Sequence, residues 1–343
     1  MADTKNSGRL IEVDSLRGLA ALAVVLFHYT TRFTELFGSN PPPTLSFPDG
    51  HYGVNLFFII SGFVIFMTLE KTSRSMDFVV SRFSRLFPAY WAAIILTYSI
   101  THLLGLPGKL VDITTAFGNL IMIHGLFRIP HVDSVYWTLE VELLFYCGMF
   151  LLYRFRLLHR IHHVLLGLLA LRLTYFVLAH WFDIDLPWTI SRFLILKYIP
   201  WFSLGITIYL ATSRRDPGEW RQPMLTASLA ILTLLIVDSL FVAALAVALA
   251  TTAFLAASGR ASLFRNQMLV WLGTISYPLY LLHENIGWSL ELRLRAQGVS
   301  TDMSILIALA ASLAMATALT RWVEQPAMRW IRSTYRKRMT ATK

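Results

Sequence analysis

The chain has 343 residues, of which 56% are hydrophobic and only 15% charged, with a mean hydropathy of +0.57. Soluble proteins carry about a quarter charged residues, so the composition excludes an ordinary water-soluble enzyme and describes an integral membrane protein. The only cysteine, Cys147, excludes an intramolecular disulfide and a thiolate-rich metal site, while the net charge of +10 acquires meaning only from where the charges fall.

The N-terminal MADTKNSGRLIEVD is polar and lacks the basic-then-apolar order of a signal peptide, so the first apolar segment is expected to stay in place as a membrane helix. Apolar stretches of near-spanning length fall at about 11–33, 52–69, 83–104, 136–153, 164–182, 194–212, 223–238, 240–257, 268–286 and 304–323. They predict ten membrane helices, with Asp238 alone breaking the seventh from the eighth. FGSNPPPTLSFPDG reads as a rigid loop between the first two. DITTAFGNLIMIHGLF, residues 112–127, is shorter and more mixed, and reads as a surface or re-entrant piece. The expected fold class is all-α: one polytopic helix bundle over residues 1–343, with a short N-terminal segment of about 1–10 and a basic tail of about 326–343.

Orientation follows from Lys and Arg in the connections. With the N-terminus in the cytoplasm, the inner segments hold Lys5 and Arg9, then Lys71, Arg74, Arg82 and Arg85, then Arg154, Arg156 and Arg160, then Arg214, Arg215 and Arg221, then Arg260 and Arg265, and a tail from Arg329 to Lys343. The outer segments hold only Arg32, Lys109, Arg128, Arg192, Lys197, Arg293 and Arg295. This alternation predicts that both termini are cytoplasmic and accounts for the basic balance without nucleic acid.

RGLAALAVVLFHY places Arg17 and His28 eleven residues apart, about 20° beyond three helical turns and so on one face, about 16 Å apart along the axis. His28 lies about 18 Å from the inner edge, Glu142 about 8 Å below the outer edge, and His283 about 21 Å up its helix. Asn55 and Ser61 descend from the outer edge in GVNLFFIISGF. Polar groups from four helices thus reach similar depth, which points to a shared site, since ionisable residues inside a bilayer are costly. Arg82 and Arg85 share a helix face near the inner end, and arginine binds phosphate in a bidentate manner. A cytoplasmic donor with an anionic head and a long thin arm fits this layout, and a coenzyme A thioester matches it. His28 is suited to take a hydroxyl proton, with Glu142 orienting the imidazole as the carboxylate of a triad does. Asn55, a tyrosine or backbone N–H groups are open as donors to the oxyanion.

SLRGLAALAVVLFHY, GVNLFFIISGFVI, FVVSRFSRLFPAYW, YWTLEVELLFY and GTISYPLYLLHE, in that order from about residue 11 to 325, resemble the blocks of acyltransferase family 3, the integral membrane O-acyltransferases. The resemblance implies transfer of an acyl group, usually acetyl, from cytoplasmic acyl-CoA to a sugar hydroxyl on the extracytoplasmic side, in the bacterial inner membrane and without a metal. It makes Arg17 and His28 the family's Arg/His pair, Arg82 and Arg85 its donor-linked Arg-x-x-Arg, and Glu142 the glutamate of the pattern beginning at Trp137. Asn55 stands where many members have Asp, so no acidic role carries over there. The chain resembles stand-alone members without an esterase-like domain, whose acceptors are exopolysaccharides, lipid-linked or signalling oligosaccharides, or macrolides. Asn55, Ser61, His283 and Trp137 are the candidate acceptor contacts. Direct attack and an acyl-His28 intermediate both stay open.

Other features have plainer readings. His162 and His163 point apart on a helix, so a basic loop touching anionic lipid is preferred to a metal site. Trp91, Trp181, Trp188, Trp201, Trp288 and Trp322 near helix ends read as interface anchors. The competing functions are a proton-linked transporter, against which the lack of internal repeats speaks, and a non-catalytic component of polysaccharide assembly.

Overall fold

The computed structural model describes residues 10–213 and 217–341, and among them it is helical with no strand. Lys5, Arg9, Arg214, Arg215 and Lys343, used in the orientation argument, lie outside the described residues, as does nearly all of the predicted N-terminal segment. The longer helices are α1 (Ile11–Phe27), α2 (Gly53–Glu70), α3 (Ser75–Leu104), α4 (Trp137–Arg154), α5 (Ile161–Trp181), α6 (Ile199–Ser213), α7 (Arg221–Val237), α8 (Leu240–Ala257), α9 (Gln267–Leu282), α10 (Glu284–Ala296), α11 (Thr301–Leu319) and α12 (Gln325–Ala341).

Each of the ten predicted apolar stretches coincides with a helix. Among the described residues, however, six helical stretches are both long and apolar enough to cross a membrane. The shortfall has local causes. α1 carries Glu12 and Asp14 in its first turn, and Arg17 follows. α6 and α7 have only 15 and 17 residues, and α9 stops after 16 at His283.

The chain divides into two compact units. The first comprises residues 1–19, 55–67 and 159–274. Its core is set by two glycines. A Cβ at Gly205 would stand 1.9 Å from the Ile59 carbonyl oxygen, and one at Gly62 would stand 2.3 Å from that of Phe202. The backbones of α2 and α6 therefore touch, the close approach that small residues permit between membrane helices. Phe58 packs its ring on Tyr198 and Phe202 beside this contact. Gly205→Ala has no side chain to displace, only backbone, and costs upward of about 3 kcal/mol. Its thermal midpoint in detergent should fall well below wild type, whereas Gly148→Ala, which meets nothing within 4 Å, should leave the midpoint unchanged or slightly higher, since alanine favours helix. Arg172, placed within an apolar helix by the sequence, is partnered: its Nη2 lies 2.7 Å from Asp238 Oδ2 and its Nη1 donates to the Leu196 carbonyl. Asp238, read only as a helix break, is what makes this buried cation tolerable. His162 is likewise buried, its Nδ1 3.0 Å from Thr226 Oγ1.

The second unit comprises residues 20–54, 68–158 and 275–343. The predicted surface or re-entrant piece folds into a short helix, Ile113–Gly118, and 3-10 turns at Asn119–Ile121 and His124–Phe127. Asp112 caps that helix by accepting from Thr115 N–H; the Thr115 side chain first, and then this N–H, hold its exposed carboxyl below the ordinary aspartate range. Asn119 is fully buried and welds the piece together. Its Nδ2 donates to the Thr115 and Pro130 carbonyls, its Oδ1 accepts from Val132 N–H, and its own carbonyl accepts from Tyr90 Oη on α3. The segment is therefore a scaffold for the residues that follow it, 131–134. Two of the expected interface tryptophans are also corrected. Trp201 in the first unit and Trp288 in the second are 3% and 0% exposed: each is packed inside the protein, whereas Trp181, Trp188 and Trp322 are open.

Candidate active site

His28 opens a π-helical turn, His28–Arg32, where α1 loosens before the short helix Phe33–Phe37. Such turns recur at functional sites because they re-aim side chains and widen the spacing of carbonyls. The His28 carbonyl accepts from Phe33 N–H and from Trp288 Nε1 at 2.9 Å. The next residue, Tyr29, is fully buried; its hydroxyl donates to the His283 carbonyl at 2.7 Å and meets Ser312 Oγ at 2.6 Å. Gly287 lets this ring approach, since a Cβ there would fall 2.2 Å from Tyr29 Oη.

Opposite this turn, His283 stands at the break between α9 and α10. Pro278, inside α9, has no N–H to give the preceding turn. The sequence predicts one uninterrupted helix across 268–286; the break instead presents His283 and Glu284 together. His283 Nε2 lies 3.1 Å from His28 Nδ1, and Glu284 Oε1 lies 4.0 Å from His28 Nε2.

The hydrogen bonds assign the tautomers. His283 Nδ1 faces the Tyr280 and Leu279 carbonyls at 3.0 and 3.2 Å and can only donate to them. Its Nε2 is then an acceptor and receives the proton of His28 Nδ1, which also points at the Val24 carbonyl 2.9 Å away. With Nδ1 protonated, His28 Nε2 carries the lone pair, and that lone pair is on the side of Glu284. The lone pair on the imidazole is thus set by three backbone carbonyls and a second histidine.

Glu284 is itself held. Ser134 Oγ donates to its Oε1, while Oε2 is buried without a hydrogen-bond partner. Asp133 accepts from Val135 N–H and from Asn285 N–H, and Asn285 Nδ2 returns a bond to the Val132 carbonyl at 2.9 Å. Burial first, and then the Glu284 carboxyl, hold the Asp133 carboxyl well above the ordinary aspartate range.

Of the residues singled out from sequence, His28 and His283 are brought together. The carboxylate at His28 is one that sequence reasoning passed over: Glu284, although it ends the quoted block GTISYPLYLLHE. A carboxylate next to a histidine inside an apolar stretch was the signal available for it. Glu142, expected to orient His28, instead accepts a hydrogen bond from Tyr146 Oη one turn along α4. The Tyr146 ring also receives the Arg82 guanidinium at 6.0 Å, and Glu142 adds its attraction to that cation. Glu142 therefore belongs with Arg82 as folded. Arg82 and Arg85 do share a stretch of α3, and Trp137 opens α4 with its ring partly exposed. Arg17, Asn55 and Ser61 fall in the first unit, each half-buried.

A half-buried imidazole with an assigned lone pair, set beside a carboxylate in an apolar helical scaffold, is an arrangement able to accept a proton. The chain matches the model of an acyltransferase domain, the third acyltransferase family, over residues 10–321, and it belongs to that family of membrane acyltransferases. No curated protein and no solved structure matches it.

Proposed function

We propose that the chain transfers an acyl group, acetyl foremost, from a cytoplasmic coenzyme A thioester to a hydroxyl of an extracytoplasmic or lipid-linked carbohydrate in a bacterial inner membrane. The observation that carries this reading is the His28 Nε2 lone pair facing Glu284. The base removes the acceptor hydroxyl proton as the oxygen attacks the thioester carbonyl. The tetrahedral intermediate then collapses, the C–S bond breaks, and the imidazolium returns the proton to the departing thiolate. Glu284 stabilises the transient imidazolium, as the triad carboxylate does, and His283 keeps the tautomer. Attack by His28 itself on the thioester, followed by hydroxyl attack on acyl-His28, uses the same lone pair.

Arg82, Arg85 and Arg17 are assigned to the donor, from the family resemblance and from the fitness of guanidinium for phosphate. Asn55 and Ser61 are assigned to the acceptor from their depth below the outer edge, and Trp137 from its place in the family pattern. A macrolide-type acceptor is the second reading within this class; a proton-coupled transporter is the rival outside it. Purified protein with labelled acetyl-CoA separates them. The proposal expects donor binding and slow release of labelled acetate or transfer to added oligosaccharide. No binding and no turnover with any acyl-CoA would move the transporter reading ahead.

A further inference from the structure

The sequence assigns the donor phosphates to Arg17, Arg82 and Arg85, and α12 brings further cations to the α3 pair. Arg332 reaches across to α3, its Nε donating to Ser84 Oγ at 3.0 Å and its Nη2 to the Ser81 carbonyl at 3.2 Å. Those two serines alternate with Arg82 and Arg85 in the run Ser-Arg-Phe-Ser-Arg. Arg332 is close enough to feel the charges of Arg82, Arg85 and Arg336. Beside these groups lies a cleft of about 530 Å³, lined by Arg74, Asp77, Ser81, Arg332, Tyr335 and Arg336 among others, a size within the range of small-molecule sites.

The cations outnumber the carboxylates. Among the described residues Asp77 is the one carboxylate lining the cleft, where it accepts a hydrogen bond from Tyr335 Oη at 2.8 Å, and Glu142 attracts Arg82. Among the described residues no ion pair joins Arg82, Arg85, Arg332 or Arg336 to a carboxylate, and the buried Arg82 Nε has no hydrogen-bond partner. Like charges so gathered repel unless an anion joins them. A basic helix lying on anionic lipid presents its cations outward. Arg332 does the reverse, turning in to α3 while Arg329, Lys337 and Arg338 stay exposed.

We infer that the cleft between α3 and α12 binds phosphate groups, those of the nucleotide end of the acyl donor, and that Arg332 and Arg336 are donor-binding residues together with Arg82 and Arg85. This rests on the coenzyme A reading above. The arm of the donor then leaves a nucleotide held by two helices distant in sequence, and the C-terminal helix is part of the donor site.

The test measures binding of coenzyme A and of dephospho-coenzyme A to the purified full chain in zwitterionic nanodiscs. Wild type is compared with Arg336→Gln, whose side chain is exposed and makes no structural bond, and with the Arg332→Gln/Arg336→Gln double variant. Arg332→Lys and a thermal midpoint control for any loosening of α12. Losing one charged phosphate contact should weaken coenzyme A binding about tenfold in Arg336→Gln and about a hundredfold in the double variant. The preference for coenzyme A over its dephospho form should shrink in parallel. If wild type binds coenzyme A and folded variants bind it equally well, the inference fails while the donor reading survives. If wild type does not bind coenzyme A, the donor reading fails and takes this site with it. Native mass spectrometry of retained phosphatidylglycerol tests the other source of phosphate: variants that lose only the lipid assign the cleft to headgroups and overturn the nucleotide assignment.

Discussion

His28→Ala is expected to lower acyl transfer by about 10²–10⁴-fold, the range for loss of a general base, while donor binding stays within a factor of two or so. The argument for an intact fold is local. The bonds that tie this turn to His283, α10 and α11 use two groups, the His28 backbone carbonyl and the Tyr29 hydroxyl, not the imidazole. Alanine keeps both, favours helix, and removes the hydrogen bonds to Val24 and His283, worth about 1 kcal/mol each, together with the approach to Glu284 and the ring contacts to Phe27 and Trp288. Chromatographic behaviour should therefore match wild type, with the thermal midpoint lowered by only a few degrees or so. Single-turnover experiments with labelled acyl donor would distinguish the two chemical routes, since a label trapped on wild type and absent from His28→Ala marks the acyl-enzyme. Undiminished transfer by a folded His28→Ala protein would remove His28 from the chemistry altogether.

Glu284→Gln is the second large effect, expected to reduce kcat by about a hundredfold with little change in KM for the donor. The magnitude follows from what the substitution leaves in place. The tautomer of His28 is fixed by Val24 and His283, so loss of the carboxylate does not misplace the proton, as it does when a triad aspartate is the only orienter. What goes is a negative charge 4.0 Å from the nascent imidazolium. Two unit charges at that distance attract by about 1 kcal/mol in water and about 4 kcal/mol at an effective dielectric of 20. An intermediate value of about 2.7 kcal/mol is a hundredfold in rate. Glutamine retains the shape and still accepts from Ser134, so folding should be unaffected, and Glu284→Asp should recover part of the rate. Glu142→Gln is the decisive companion. Under the expectation from sequence it should be the more damaging to kcat; with Glu142 bonded to Tyr146 beside Arg82, it should act on donor binding instead. A larger kcat loss in Glu142→Gln than in Glu284→Gln would return the orienting role to Glu142.

The difference between those two glutamates shows what the sequence could and could not say. Hydropathy located α1 to α9 and α11, though not the more polar α10 and α12, because the demand to satisfy backbone groups in lipid makes apolar length nearly sufficient for helix. The eleven-residue interval from Arg17 to His28 and the three-residue interval from Arg82 to Arg85 were legible for the same reason: both are properties of a single helix. Depth along an axis was legible too, and it correctly grouped His28 with His283. Rotation about the axis was not. Glu142 has a suitable depth, but which way it faces depends on how α4 is turned by its neighbours. Glu284 meets His28 only because α9 stops at His283 and a π-helical turn re-aims α1. Neither irregularity has a hydropathy signal, and the residues are separated by 256 positions in the chain. Arg332 is a similar case. In sequence it belongs to an ordinary basic tail, and only packing against α3 makes it part of a cation cluster.

The anchoring of the His28 turn has a further consequence. The Tyr29 hydroxyl binds the His283 carbonyl and Ser312, the Trp288 indole binds the His28 carbonyl, and Gly287 brings the Tyr29 ring against the backbone of α10. α1, α10 and α11 are thereby bolted together around the base, mostly through main-chain atoms. Such a base has little rearranging left to do when the transition state forms, so the cost of orienting it is met during folding and not in each turnover. Motion in the cycle then falls to the substrates and to the segments that admit them: donor and acceptor travel to a stationary imidazole.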